Sequence, residues 1–162
     1  MQVGTVASIN VSRGGVPKRP VASVLVTASG LEGDEQRDLR WHGGPDRAVS
    51  LFSLEIIDSL SRGGHPIGVG TAGENLTVSG LDWGGMVPGA EVAVGDVRLR
   101  ITGYAAPCSK IQASFLEGDF TRISDKTHPG SSRLYARVLA GGVVRTGDPV
   151  SVVAEESKVP GT

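Results

Sequence analysis

Aromatic residues, cysteine and long apolar runs are all scarce in this chain. Phe, Trp and Tyr make up 4% of its 162 residues, and its one cysteine is Cys108. A single cysteine excludes an internal disulfide and agrees with a reducing compartment. No apolar run approaches the roughly 20 residues of a membrane-spanning helix, and the N-terminus lacks the basic and apolar regions of a secretory signal. We therefore expect a cytoplasmic protein with no membrane partner.

An excess of charge of either sign is also absent. The chain has 16 Lys and Arg against 17 Asp and Glu, a net charge of -1, and these residues are spread without blocks. A phosphate backbone needs a basic patch, so nucleic acid is not expected as a partner. The length suits one hydrophobic core, and we expect a single domain over residues 1–154. The polar tail Glu155–Thr162 is expected to be disordered.

Glycine and period-2 apolar patterns dominate what is present. Gly accounts for 24 residues, about twice its average share of roughly 7%. Alternating apolar residues predict half-buried strands, and no repeated strand–helix alternation appears. The sequence therefore predicts a mainly β fold, a closed or nearly closed β-barrel with a few short helices. The alternating positions are Val3, Thr5, Ala7 and Ile9; Val24 and Val26; and Val97, Leu99 and Ile101, the last set separated by Arg98 and Arg100.

Turns and helices are marked by local signals. Gly95-Asp96 predicts a two-residue hairpin with Gly first, and Gly141-Gly142 is expected to link two paired strands in the same way. Ser53 predicts the N-cap of a helix over Leu54–Ser61 that ends at Gly63-Gly64. A second short helix is expected over Ser109–Leu116.

Three segments have residue types suited to chemistry. In the first, His42 and Arg47 flank Gly43, Gly44, Pro45 and Asp46, so close-approaching backbone N–H groups and an Arg could bind a phosphate. The alternative is a solvated polar loop. In the second, Glu74 and Asn75 follow Gly73 and could hold a ligand or a neighbouring loop, or simply close a turn before a strand.

The third segment contains Cys108. Pro107 holds the chain extended, and the thiol is expected at the start of the second helix, where the helix dipole and Lys110 favour a thiolate. A thiolate can attack, carry sulfur or bind a soft metal. The alternative is a buried small hydrophobe, the commonest fate of a free cysteine.

Several common site templates are absent. One cysteine and three scattered histidines do not make the four-ligand pattern of a zinc site. The P-loop and the G-x-S-x-G elbow do not occur. Residues 68–73 match G-x-G-x-x-G, but no strand precedes them and no helix follows, so we interpret the match as chance.

Six motifs in order give the chain a family resemblance. They are GLEGD, HGGPDRAV, GENLTVSGLD, VGDVRLRITG, PCSKI and RLYARVLAGGVVRTGDPV. Together they resemble a stand-alone MOSC domain, the module named from the C-terminal part of molybdenum cofactor sulfurases, over about Val3 to Val153. The family's fold is a mostly β barrel, and the resemblance implies that Cys108 carries sulfur or binds molybdenum cofactor. Trp41 stands where many relatives have His or a basic residue, so the pocket entrance is expected to differ.

The resemblance also implies a ligand pocket. The residues expected to bind the cofactor around Cys108 are His42, Gly43, Gly44, Asp46, Arg47, Glu74, Asn75 and Lys110. Larger relatives add a pyridoxal-phosphate lyase domain, which does not fit in 162 residues, so we expect the chain to receive or use sulfur rather than generate it.

Four functional hypotheses follow. In the first, Cys108 ligates molybdenum, with the pterin phosphate among Gly43, Gly44 and Arg47; the reaction that the resemblance implies is reduction of N-hydroxylated small molecules with an electron-donor reductase. In the second, Cys108 bears a persulfide and exchanges sulfur with a donor or acceptor protein, for sulfuration of the molybdenum cofactor or a metal–sulfur cluster. The third pairs Cys108 with His42 for acyl transfer. The fourth is a structural domain with an inert Cys108.

Overall fold

The structure is a computed structural model that describes residues 3–35 and 44–153. The tail Glu155–Thr162, expected to be disordered, lies outside the described residues. Within them, each helix falls short of the length and apolarity required to span a bilayer.

The described residues form short strands and short helices. The strands are β1 (Val3–Val11), β2 (Arg19–Val21), β3 (Ser23–Thr27), β4 (Gly30–Leu31), β5 (Val49–Ser53), β6 (Leu76–Ser79), β7 (Glu91–Val94), β8 (Val97–Tyr104), β9 (Leu134–Ala140), β10 (Gly142–Arg145) and β11 (Pro149–Val152). The α-helix α1 spans Leu54–Arg62, and 3₁₀ helices span Pro45–Arg47, Trp83–Gly85, Ser109–Ser114, Leu116–Gly118 and Phe120–Ile123.

Seven strands close into a barrel, which confirms the predicted fold class. Their order is β11-β7-β8-β9-β5-β6-β1, and β11 pairs back onto β1 with Val3 opposite Ser151. Neighbouring strands are antiparallel except β5 and β6, which are parallel. Strand β2 extends the sheet beyond β1, and β10, β3 and β4 form a second sheet. The inward-facing apolar residues form one core cluster that fills the barrel.

Strand β8 follows its sequence pattern closely. Val97, Leu99 and Ile101 are buried, whereas Arg98 and Arg100 are exposed, as period-2 alternation predicts. The hairpin from β7 to β8 turns at Gly95, whose φ is 55°. That positive φ is the conformation a Gly-first hairpin turn requires.

Strand β1 exists as predicted, but the interpretation of its alternating residues as the buried face is wrong. Val3 is 60% exposed, whereas Val6, between the expected positions, is fully buried. The pairing of β1 with β6 shifts register between Val6 and Ser8, and after the shift Ile9 is also buried. A bulge moves the following side chains to the opposite face of the sheet, which period-2 counting cannot anticipate.

The expected hairpin at Gly141-Gly142 is also wrong. After β9, the chain leaves the barrel, and β10 pairs with β3, Gly142 lying opposite Val26. A Cβ on Gly141 would lie 2.6 Å from the carbonyl oxygen of Val26. The glycine therefore serves a close backbone approach where the chain changes sheets.

The two predicted helices have different outcomes. Helix α1 begins after Ser53, whose Oγ accepts a hydrogen bond from Ile56 N at 3.2 Å, and it ends at Gly63 as predicted. The helix expected over Ser109–Leu116 is instead a six-residue 3₁₀ helix that ends at Ser114, before Phe115, where the backbone is extended (φ −128°, ψ 146°). Since a short 3₁₀ segment has poorly aligned hydrogen bonds, the dipole expected at Cys108 is weaker than that of an α-helix.

Candidate functional site

A cavity of about 440 Å³ opens on one side of the barrel and contains Cys108 in its wall. Four Lys or Arg residues and one Glu line it, together with small and apolar residues. The lining residues are Gly14, Gly15, Val16, Lys18, Glu35, Arg47, Ser50, Ala72, Gly73, Ala106, Cys108, Lys110, Ile111, Arg133 and Tyr135. Three of the predicted site residues therefore share one cavity: Cys108, Arg47 and Lys110.

Cys108 is partly exposed and immediately precedes the 3₁₀ helix Ser109–Ser114. Its backbone is extended (φ −144°, ψ 176°), and its carbonyl oxygen accepts a hydrogen bond from Ile111 N at 3.1 Å. The thiol is free and shares the cavity with Lys110, two residues further along the chain. A partly exposed thiol among cations can react with a ligand that enters the cavity or bind a soft metal there.

Arg47 brings the HGGPDR segment to the cavity. Its guanidinium carbon lies 5.3 Å from the centroid of the Tyr135 ring, a cation–π contact. The 3₁₀ helix Pro45–Arg47 packs on β9, the strand that carries Tyr135. The position of Arg47 thus depends on a contact between two distant segments.

Arg133 immediately precedes β9 and joins two walls of the cavity. Its Nη1 donates to the carbonyl oxygen of Ala72 at 2.8 Å, and its Nη2 donates to those of Ala105 at 3.5 Å and Ala106 at 3.4 Å. Burial lowers the pKa of the Arg133 guanidinium from its ordinary value, although nearby Tyr135, Glu74 and Cys108 oppose the shift. An Arg remains cationic at neutral pH even so, and Arg133 contributes positive charge beside Cys108.

A buried ion pair lies behind the glycine-rich edge of the cavity. Lys18 Nζ donates to both carboxylate oxygens of Asp34, at 2.7 and 2.8 Å, and the two side chains are 8% and 4% exposed. Asp34 also accepts hydrogen bonds from Ser12 N at 2.9 Å and from Asn75 Nδ2 at 2.9 Å. This pair neutralises Lys18 and ties residues 12–18 to the loop that follows β4.

Glu74 and Asn75 lie beneath the cavity, not among its lining residues, and are 0% and 1% exposed. Asn75 Oδ1 accepts hydrogen bonds from the N and Oγ of Ser50, which lines the cavity. Glu74 Oε2 accepts from Thr77 Oγ1 at 2.8 Å and Gly70 N at 3.2 Å, and burial raises the pKa of Glu74 above its usual value. The two residues support the cavity from behind.

The rest of the predicted HGGPDR site lies either outside the described residues or outside the lining of the cavity. His42 and Gly43 lie outside the described residues, as does Trp41. Gly44 is exposed and does not line the cavity. Asp46 does not line the cavity either, and its Oδ1 accepts a hydrogen bond from Arg137 Nε at 2.8 Å. The cofactor-binding roles of these residues stay predictions.

The sequence analysis did not identify Arg133, Tyr135, Lys18 or Asp34 as site residues. Arg133 and Tyr135 belong to the motif RLYARVLA, and Asp34 ends GLEGD, so the motifs that carry the family resemblance contained the signal. Nothing local indicated that these side chains meet Cys108 or one another, because their partners are far away in the chain.

Comparison with known proteins identifies the family. The MOSC domain family model matches residues 38–151. The chain belongs to the MOSC family. Its MOSC relatives include YflK of Bacillus subtilis, 32% identical over 149 residues, a match that covers 89% of this chain and 65% of YflK. YiiM of Escherichia coli is 30% identical over 140 residues, a match that covers 84% of this chain and 62% of that protein. The chain thus spans just under two thirds of the length of these relatives.

Solved structures show the same MOSC fold. YiiM from Geobacillus stearothermophilus superposes with a TM-score of 0.73 at 28% identity, covering 93% of this chain and 75% of that one. The YuaD protein from Bacillus subtilis superposes with a TM-score of 0.72 at 18% identity, covering 94% of this chain and 98% of YuaD. At that identity, the YuaD likeness concerns the fold alone.

Proposed function

We propose that this MOSC chain binds the molybdenum cofactor, with Cys108 as the protein ligand to molybdenum, and reduces N-hydroxylated small molecules. One observation carries the proposal: Cys108 shares the wall of a cavity of about 440 Å³ with Arg47, Lys110 and Arg133. A thiolate is a ligand for soft metals, and guanidinium and ammonium groups bind phosphate. The combination suits a cofactor that has a metal at one end and a phosphate at the other.

The residues present fit this group. Among the described residues, no three His, Cys, Asp or Glu side chains cluster as a metal site would require. A metal already held by an organic cofactor needs few protein ligands, and one cysteine suffices for the role proposed here. The cavity volume falls within the range of small-molecule and cofactor sites. Arg133 lines the cavity, and its Nε is buried without a hydrogen-bond partner.

When bound, the cofactor supplies two-electron redox chemistry that no side chain in the cavity provides. Reduction of an N-hydroxyl group consumes two electrons and two protons, breaks the N–O bond, and yields the amine and water. The electrons are expected from an electron-donor protein. At the cavity surface, the Tyr135 hydroxyl and the Lys110 ammonium hold exchangeable protons. Apolar Ile111 and Ala72 reduce the water that reaches the bound substrate.

A second function is favoured by the exposure and charge around Cys108. A partly exposed thiol beside Lys110 and Arg133 can bear a persulfide, whose negative charge these cations stabilise. The chain then acts as a sulfur carrier between a donor and an acceptor protein. Either function is expected in the cytoplasm, where the thiol stays reduced.

Molybdenum content tests the first function. Wild type, Cys108→Ser and Arg100→Gln are purified from cells that make the pterin cofactor and analysed for molybdenum. We expect close to one metal per chain in wild type, and little in Cys108→Ser because a hydroxyl is a poor ligand for a soft metal. Arg100→Gln, which alters an exposed ion pair with Glu91 on the outer face of β8, should retain the metal.

The outcomes separate the two functions. Metal that depends on Cys108 supports the cofactor-binding proposal and leads to assays with N-hydroxylated substrates. Metal absent from wild type refutes it. Mass spectrometry then decides on the carrier function, which requires Cys108 to be heavier by one sulfur atom in wild type and predicts no such adduct in Cys108→Ser.

A further inference from the structure

A second, smaller cavity opens beside the 3₁₀ helix Trp83–Gly85, and we call it the Trp83 cavity. Its volume is about 210 Å³, and it shares no lining residue with the Cys108 cavity. Alternate residues at the start of β9 face the two cavities: Arg133 and Tyr135 line the larger one, Ser132 and Leu134 the smaller one. The Trp83 cavity is therefore a separate site on the other side of the same segment. The side chains in its wall include Trp83, Met86, Tyr104, Asp125, Ser132 and Leu134.

Asp125 gives the Trp83 cavity a negative charge. Of the described residues that line it, none is Lys, Arg or His. Asp125 is half-buried, and no ion pair within residues 3–35 and 44–153 includes it, although Lys126 is the next residue in the chain. Gly130 N donates a long hydrogen bond of 3.4 Å to Asp125 Oδ1. The carboxylate therefore retains most of its capacity to accept hydrogen bonds from a ligand.

Two other polar side chains in the wall have already used their protons. Trp83 Nε1 donates to the Ser132 carbonyl oxygen at 2.8 Å, and Ser132 Oγ donates to the Arg133 carbonyl oxygen at 2.7 Å. A hydroxyl has one proton, so Ser132 Oγ can offer a ligand only its lone pairs. Together with the Asp125 carboxylate, this makes the wall mainly an acceptor of hydrogen bonds. The Trp83 cavity thus suits a ligand that brings donors.

Aromatic side chains add a second preference for positive charge. Trp83 and Tyr104 both line the cavity, and the face of an aromatic ring attracts cations. Within the described part of the chain, no Lys or Arg stacks on either ring, and the cation–π contact lies elsewhere, between Arg47 and Tyr135. A carboxylate beside aromatic rings suits an ammonium ion with an apolar substituent. A metal ion fits less well, because no three His, Cys, Asp or Glu side chains of the described residues cluster here.

We propose that the Trp83 cavity binds a small alkylammonium ion, with the ammonium group on Asp125 and the alkyl group against Trp83 and Tyr104. The cavity is smaller than the roughly 300–1,000 Å³ of sites for drug-sized ligands, so the ligand is small. The site does not depend on the function proposed for Cys108, since the two cavities have separate linings.

NMR titration with n-butylammonium, and with n-butanol as its uncharged counterpart of similar shape, tests the site. The full chain carries Trp41→Phe, which leaves Trp83 as the one tryptophan and its indole N–H as the one indole signal. We expect n-butylammonium to shift this signal saturably, with a dissociation constant in the millimolar range because so small a ligand makes few contacts. At the same ionic strength, n-butanol should bind at least about tenfold more weakly, since it lacks the charge that pairs with Asp125.

Three variants in the same background locate the binding. Asp125→Asn keeps an oxygen that can accept from Gly130 N but removes the charge, and it should weaken n-butylammonium binding about tenfold or more. Tyr104→Leu keeps an apolar side chain without the ring and should weaken binding about twofold to fivefold. The matched control is Asp58→Asn, which removes an exposed carboxylate on α1 outside the cavity and should leave binding unchanged.

Circular dichroism establishes which variants fold. If Asp125→Asn does not fold, Tyr104→Leu decides together with the comparison of n-butylammonium with n-butanol, because the Tyr104 side chain is 40% exposed and its replacement leaves the core intact. Any of three results overturns the proposal: n-butylammonium produces no saturable shift, n-butanol binds as tightly as n-butylammonium, or a folded Asp125→Asn variant binds n-butylammonium as tightly as the Asp58→Asn control.

Discussion

Removal of one partner from the buried Lys18–Asp34 pair should destabilise the fold strongly. The Lys18 side chain is 8% exposed, and its Nζ forms an ion pair with Asp34 at 2.7 Å. Asp34→Asn leaves the ammonium buried without a matching charge, a situation that typically costs about 3–5 kcal/mol of unfolding free energy. With a urea m-value of about 2 kcal/mol/M, the unfolding midpoint should fall by about 1.5–2.5 M.

The double variant distinguishes charge pairing from general disruption. Lys18→Met alone leaves the Asp34 carboxylate with its bonds from Ser12 N and Asn75 Nδ2, so we expect it to cost less than Asp34→Asn. Lys18→Met combined with Asp34→Asn removes both buried charges. The double variant should therefore lose about 2–3 kcal/mol less unfolding free energy than the sum of the losses in the two single variants.

Urea unfolding of the four proteins, followed by circular dichroism, measures this coupling. The matched control is the exposed Arg100–Glu91 pair, 48% and 31% exposed, where removal of a partner should cost no more than about 1 kcal/mol. Two outcomes would refute the reasoning. In one, the losses of unfolding free energy at Lys18 and Asp34 are as small as those of the control pair. In the other, the two single losses add up to that of the double variant within about 0.5 kcal/mol.

Two further predictions concern the floor of the cavity. Because burial raises the pKa of Glu74 above 4.5, the folded state keeps a proton that the unfolded state releases. The stability contribution of Glu74 should therefore fall as pH rises above about 4.5, until the folded-state pKa is passed. Glu74→Gln cannot titrate, so its unfolding free energy relative to wild type, measured by urea unfolding, should rise over the same pH range. A difference that does not change with pH would contradict the raised pKa of Glu74. Gly70 has a φ of +79°, and a Cβ there would lie 2.3 Å from the Lys18 carbonyl oxygen. Gly70→Ala should cost at least about 2 kcal/mol. It should lower the Tm more than Gly33→Ala, where φ is +86° but the space is open; equal losses would rule out the clash.

Several strands, one helix and part of the candidate site followed from local patterns. Alternation in β8 identified both the strand and its buried face, because the arginines between Val97, Leu99 and Ile101 favour solvent. Ser53 marked the start of α1 through a hydrogen bond that spans three residues. Cys108 was predicted as the central site residue because it is the one thiol, and in the structure it lines the cavity.

Prediction failed where a distant contact overrides the local pattern. The bulge in β1 depends on its pairing with β6, so the buried face changed in a way that composition could not indicate. Gly141 looked like a turn glycine, yet its role is the close approach to Val26 in the other sheet. The expected helix after Cys108 ended early, at the extended Phe115.

The sequence by itself determined the fold class and the family, because these depend on alternation, glycine placement and ordered motifs, and it predicted Cys108 as the central site residue. Only the tertiary structure decided which charges surround the thiol. Arg133 contacts Ala72 across 61 residues, and Asn75 contacts Asp34 across 41. Barrel closure brings these segments together, and no local rule encodes which carbonyl or carboxylate a side chain meets after closure.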